Sequence, residues 1–279
     1  MVTPGRVGRA VVVYVLCVTA VLLLSVPGFG TTVVALIDKK HHRVVLAADS
    51  LLRLSYAGTT FQQCKIIRQP ECTFATAGLL NKESPPLNLR DLGEAACGLP
   101  GDLRHKADGF MALAKEPVTT VADFLRVNEP QFYADTIASS GGELVMVAFA
   151  GAEKGNPSIF VRGFRIDTNG GVTPISYNVV APNDLGFFAG FTESIAAYIK
   201  ANPQWTKMNR VSAARKFLQL EVAAHPEGVG RPVSILTIDK MGRQKWISPG
   251  LCTAPASGKP AIPKERISSD SAITGRPAG

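Results

Sequence analysis

Three things are scarce in this chain of 279 residues, and each scarcity closes a class of function. The five cysteines include no Cys-x-x-Cys pair, and no histidine stands at ligand spacing from any of them, so the sequence offers no zinc knuckle. Aromatics are only 7% of the residues and do not interleave with basic ones. The 30 lysines and arginines are spread along the chain, so the net charge of +8 builds no nucleic-acid surface; attraction to anionic surfaces or peptides is the blander account. Long apolar runs are few too: the apolar stretch from Ala10 to Leu24 is shorter than the roughly 20 residues a spanning helix needs, although counting through Phe29 brings it close to that length. Asp167-Thr168-Asn169-Gly170-Gly171 starts like a calcium loop but lacks the later acidic ligand, which makes it a turn. No metal and no cofactor are expected.

What the first thirty residues do contain is the pattern of a secretory signal. Arg6 and Arg9 precede the apolar stretch, and Ser25 to Gly30 is a small-residue exit with Gly28 and Gly30 at the small positions before a cut. The bulky Leu16 before Cys17 argues against a lipoprotein. The expectation is a signal peptide over 1–30, removed after Gly30, and export to the periplasm or beyond. An uncut leader would be the one membrane contact. The next stretch, 31–250, suits one sizeable α/β domain. Residues 251–279, rich in Ala, Pro, Gly, Ser and Lys, read as a disordered tail. Cys17 leaves with the leader, and Cys64, Cys72, Cys97 and Cys252 then allow two disulfides in three pairings, among which the sequence does not choose.

The periodicities predict strands at Thr31–Asp38 and Arg43–Ser50, joined as a hairpin through Lys39-Lys40-His41-His42, and at Lys65–Arg68 and Thr73–Ala77 around Gln69-Pro70-Glu71. Helices are expected at Leu103–Ala114 and Val118–Ile137, then strands at Leu144–Ala150, Ser158–Ile166 and Ile175–Val180. Helices at Thr192–Ala201 and Asn209–Ala224 and strands at Val233–Asp239 and Gln244–Ile247 complete the order. Blocks of strands alternating with blocks of helices favour an α+β, four-layer αββα sandwich of two antiparallel sheets flanked by helices over a βαβ repeat.

The chemistry concentrates at Gly30-Thr31-Thr32. A cut after Gly30 would give Thr31 both a hydroxyl nucleophile and a free α-amine, whose ordinary pKa of about 7.7–8.0 leaves much of it neutral near pH 7. A hairpin centred on Lys40/His41 sets Asp49 opposite Thr32 and Ser50 opposite Thr31, where side chains stand about 4.5–5.5 Å apart. Lys65 opens the next strand and can pair with Asp49. Gly78 ends the fourth strand, where a bare N–H can face an oxyanion. His41 and His42 read as solvated, and His225 as a helix-end residue.

In order and nearly in spacing, Gly30-Thr31-Thr32-Val-Val, Val-Val-Leu-Ala-Ala-Asp49-Ser50, Cys64-Lys65-Ile66-Ile67 and Ala-Thr-Ala77-Gly78 resemble the proteasome β-subunit family of N-terminal-nucleophile hydrolases. The resemblance runs from about Thr31 to Pro249 and is specific over its first fifty residues. It implies Thr31 as nucleophile, Asp49 and Lys65 as the groups that tune it, and Gly78 as the oxyanion-hole amide. It further implies a threonine-type peptidase acting on peptide or amide substrates, and it allows a homo-oligomer. The chain departs from the pattern at two places. His225-Pro226-Glu227-Gly228-Val229-Gly230 has Val229 where the family has a Ser and only Glu227 as a nearby acid, and Ala189-Gly190-Phe191-Thr192-Glu193-Ser194 lacks the family's Gly-Ser-Gly. Two alternatives follow: a small-molecule amidase or acylase on the same nucleophile, and a catalytically silent binding or assembly domain.

Overall fold

Alternation in the first two strands explains the layers. The structure, a computed structural model, describes residues 31–53, 60–70, 72–180 and 185–252. The leader over 1–30 and the tail from 253 onward lie outside the described residues. In β1 (Thr32–Asp38), Val33, Ala35 and Ile37 join one apolar cluster while Val34 and Leu36 join another, and all five are buried. In β2 (Arg43–Ala48), Val44, Leu46 and Ala48 face the first cluster, and Val45 and Ala47 the second. Strands covered on both faces carry unbroken apolar runs, which is the reason these two show no polar alternation.

Downstream come the short strands β3 (Leu51–Arg53) and β4 (Thr60–Gln62), which pair with each other, then β5 (Ile66–Arg68) and β6 (Thr73–Gly78). A two-residue pair, β7 (Asn81–Lys82) and β8 (Leu87–Asn88), leads into helix α1 (Leu89–Cys97). Helices α2 (Leu103–Asn128) and α3 (Pro130–Ser140) follow, and then strands β9 (Glu143–Glu153), β10 (Asn156–Ile166), β11 (Val172–Val180) and β12 (Gly186–Gly190). Helices α4 (Glu193–Ala201) and α5 (Arg210–Ala224) and strands β13 (Ser234–Asp239) and β14 (Gln244–Ser248) end the described fold.

Two five-stranded sheets result, in the orders β12-β1-β2-β13-β14 and β11-β10-β9-β6-β5, antiparallel throughout. Between them lies a core of small and branched residues, including Ala35, Ala48, Ala75, Ala77, Ala148 and Ala150. The outer face of the first sheet packs on Ile195 of α4 and Ala213, Phe217 and Leu218 of α5. On the far side, Phe74, Val147 and Phe149 of the second sheet pack on Ala96 of α1 and on Phe110, Val118 and Leu125 of α2. The layer order is therefore helix, sheet, sheet, helix: an αββα sandwich.

The helical middle differs from the sequence expectation. The periodicity divides Leu103–Ala114 from Val118–Ile137, yet α2 runs unbroken through Pro117 and the break falls at Glu129-Pro130. Proline removes one backbone donor, but α2 buries Ala107, Phe110, Ala114, Val118 and Val121 along a single face against the second sheet, and that packing outweighs the lost bond. Pro130 occupies the first position of α3, where its missing N–H costs nothing. Strand β12 and helix α1 have no counterpart in the expected elements. The open cysteine question resolves into Cys64–Cys252 and Cys72–Cys97. Among the described residues no helix is long and apolar enough to cross a membrane.

Candidate active site

Hairpin register builds the first half of the site. Val33 pairs with Ala48, and Asp49 N–H donates to the Thr32 carbonyl at 3.2 Å, so Thr32 stands opposite Asp49 as the turn spacing predicts. The turn is a single 3-10 step over Lys39–His41 closed by His42 in the left-handed region at φ 46°. Asp49 lies just past β2, and its carboxylate is held by three backbone donors: Thr32 N–H to Oδ1 at 2.8 Å, Leu51 N–H to Oδ2 at 2.9 Å and Gly230 N–H to Oδ2 at 3.1 Å.

The second half comes from the opposite sheet. Lys65 immediately precedes β5, and its carbonyl accepts from Thr76 N–H of β6 at 3.2 Å. Its side chain crosses the interface between the sheets, so that Nζ donates to Asp49 Oδ1 at 2.7 Å and to Thr31 Oγ1 at 3.1 Å. Thr31, Asp49 and Lys65 are each about 1% exposed. Burial lowers the Lys65 pKa, and the Asp49 charge and hydrogen bond oppose that shift. The result is a cation with a weakened hold on its proton beside a threonine hydroxyl.

Gly78 ends β6 two residues beyond Thr76, the partner of Lys65. Its φ of +88° lies in the left-handed region, and a Cβ there would come within 2.4 Å of the Leu144 carbonyl oxygen. Packing alone thus demands glycine at this position, and its amide belongs to a strand that faces β1 across the inter-sheet core.

Other backbone groups complete the surroundings of Thr31, and the sequence reading registered them only as departures from a pattern. Phe191 N–H donates to the Thr31 carbonyl at 3.0 Å, and the Thr32 hydroxyl donates to the Phe191 carbonyl at 3.0 Å. Gly190 approaches so closely that a Cβ would sit 1.7 Å from the Thr31 carbonyl oxygen. Gly230, which donates to Asp49, has no room for a side chain against Leu51. The glycines at 190 and 230 were the available signal, since each permits a backbone approach that any side chain would block. Val229 is fully buried and brings no hydroxyl. Glu227 is exposed, and His41 and His42 lie on the exposed turn at the far end of the hairpin.

No family model and no curated protein matches the chain. Solved structures similar to it include two that illustrate the level of likeness. One is an Anbu (Gly-1) mutant from Hyphomicrobium sp. strain MC1, 18% identical over 78% of this chain and 88% of that one, with a TM-score of 0.42. The other is eukaryotic HslV from Trypanosoma brucei, 14% identical over 74% of this chain and 98% of that one, with a TM-score of 0.37. Likeness at this level adds nothing to the layer order and hydrogen bonds described above.

Proposed function

We propose that this chain is an exported N-terminal threonine hydrolase of the proteasome β-subunit type, which cleaves peptide or amide bonds through an acyl-enzyme on Thr31. The observation that carries the reading is the buried Lys65 Nζ held between Asp49 Oδ1 and Thr31 Oγ1, at 2.7 and 3.1 Å.

In the full-length chain the Thr31 nitrogen belongs to the Gly30–Thr31 peptide bond, where resonance removes its basicity. A cut after Gly30 frees it. The α-amine then takes the Thr31 hydroxyl proton, directly or through water, and Oγ1 attacks the substrate carbonyl carbon. Lys65, cationic and 3.1 Å away, stabilises the negative charge developing on that oxygen. In this reading the Gly78 amide receives the carbonyl oxyanion. The C–N bond breaks as the leaving amine accepts the proton, and water then hydrolyses the Thr31 ester. Asp49, anchored by three N–H groups, fixes Lys65 in place.

The experiment is intact mass and N-terminal sequencing of protein expressed with its leader, followed by labelling with a β-lactone electrophile. The expected result is a start at Thr31 and one added acyl group, absent in Thr31→Ala. A mature start elsewhere, or no labelling of a chain that starts at Thr31, overturns the reading. One observation favours the silent-domain alternative: Val229 fills the place of the family's Ser with an apolar side chain. A Thr31-started chain that is folded but inert to the electrophile would support that alternative.

A further inference from the structure

Behind Thr31, on the helix side of the first sheet, three potential ligand atoms converge. Glu221 and His225 are one turn apart at the end of α5, and Glu193 opens α4. His225 Nε2 lies 3.6 Å from Glu221 Oε2 and 3.7 Å from Glu193 Oε2, and the ligand atoms of all three residues fall within 4.8 Å of one another. Zinc held at about 2.0–2.2 Å by imidazole and carboxylates in tetrahedral geometry sets its ligands roughly 3.3–3.5 Å apart. The two separations from His225 Nε2 are within a few tenths of an ångström of that value.

The buried carboxylate supplies a second, separate reason. Glu221 is fully buried, and one oxygen is accounted for: Oε1 accepts from Ile195 N–H at 2.7 Å and so caps the start of α4. Oε2 has no hydrogen-bond partner and faces His225. A buried carboxylate oxygen that makes no hydrogen bond, with His225 Nε2 3.6 Å off, is costly, and a metal cation between them would satisfy it. Access is provided by Glu193, whose side chain is 63% exposed, so an ion and its remaining water ligands can enter from that side. The end of α5 also presents the negative pole of its dipole to a cation at His225.

We propose that Glu193, Glu221 and His225 form a binding site for a divalent transition-metal ion of the zinc class, with water as the remaining ligand. One histidine with two carboxylates is a borderline donor set suited to Zn²⁺. The site adjoins the Thr31 surroundings through one residue. The Phe191 ring stacks on the His225 ring at 4.4 Å between centroids, while the Phe191 backbone bonds both Thr31 and Thr32. Occupancy would tie the start of α4 to the end of α5 and so steady the segment that holds Thr31.

The test is independent of whether Thr31 is catalytic. Metal-stripped protein is titrated with ZnCl2 by calorimetry and with Co²⁺ by visible absorption, in a His41→Asn/His105→Asn background that removes the other His–carboxylate contacts, to Asp38 and Asp102. The expected result is one Zn²⁺ per chain, a cobalt d–d band and a Zn²⁺-dependent rise in melting temperature. Glu193→Gln and His225→Asn should each weaken binding at least about tenfold. Glu193→Gln alters an exposed side chain, so its thermal unfolding without metal should match the parent. Absence of Zn²⁺ binding in the parent, or equal binding in folded Glu193→Gln, overturns the proposal and leaves the cluster an ion pair only.

Discussion

At one end of the β1–β2 hairpin Asp38 accepts from Arg43 at 2.9 Å and lies 2.8 Å from His41; just past the other end Asp49 accepts from Lys65 at 2.7 Å. The lengths are alike and the surroundings are not. Arg43 and His41 keep 22% and 45% of their side chains in solvent, whereas Lys65 and Asp49 keep none. Asp38 is itself buried, but water reaches Arg43 and His41 and screens the first pair in part, so its contribution is the smaller one. The second pair has replaced its hydration with each other, three backbone donors and the Thr31 hydroxyl, so removing one partner strands the other. Equal geometry therefore says little about consequence, and burial says most of it.

The sharpest way to break the contrast is Lys65→Met, which leaves Asp49 buried without its cation. Chemical denaturation should show a loss of about 3–5 kcal/mol, and the proposed hydrolysis should fall by roughly 10²–10³. Combining it with Asp49→Asn should recover most of the stability and none of the turnover; a double variant that hydrolyses normally would reduce the pair to a structural role.

Next in size is Gly190→Ala. Its Cβ would overlap the Thr31 carbonyl at a φ of +83°, and a loss of about 3 kcal/mol by the same measurement is expected. Gly242 has a similar φ of +76° with open space around it, so Gly242→Ala should cost only about 1–2 kcal/mol, the price of the backbone conformation alone. Similar losses at the two sites would show that crowding at Thr31 is relieved by small shifts. Cys252→Ala opens the bridge to Cys64, the residue before Lys65, and closes no other loop; thermal melts should show a loss of about 2–4 kcal/mol.

A subtler separation uses pH. Because burial lowers the Lys65 pKa, the unfolded chain takes up a proton that the folded chain resists. Stability should therefore rise with pH between the lowered value and the ordinary 10.5, and the Lys65→Met/Asp49→Asn variant should lack that rise. The smallest effect is expected from Arg43→Gln at the exposed end, at most about 1 kcal/mol, with hydrolysis unchanged. A loss there as large as at Lys65 would erase the difference between the two ends.

Much of the first half of the site was legible because it depends on local spacing. With the turn at Lys40/His41, counting residues along two antiparallel strands brings Asp49 beside Thr32, and the hydrogen bonds follow that register. The αββα layering was legible for a similar reason, since unbroken apolar strands need cover on both sides. The division expected between Ala114 and Val118 is absent because α2 buries one continuous face, which forms only when the helix meets the second sheet. Strand β12 was not foreseen, although it pairs Gly190 with Thr32, because Gly-Phe-Phe-Ala-Gly has little strand pattern of its own and depends on β1 as a template.

By itself the sequence determined the hairpin, its register, the order of strand and helix blocks, and the residue types available at Thr31, Asp49, Lys65 and Gly78. These are set by periodicities of two and 3.6 and by turn chemistry, which act over a few residues. Only the tertiary structure decided that Lys65 crosses from one sheet to the other, that Gly190, Phe191 and Gly230 close around Thr31 and Asp49, that Cys64 meets Cys252, and that Glu193 joins Glu221 and His225. Each of these contacts joins segments far apart along the chain, and their meeting depends on how two sheets and two helix layers pack, which local pattern does not encode.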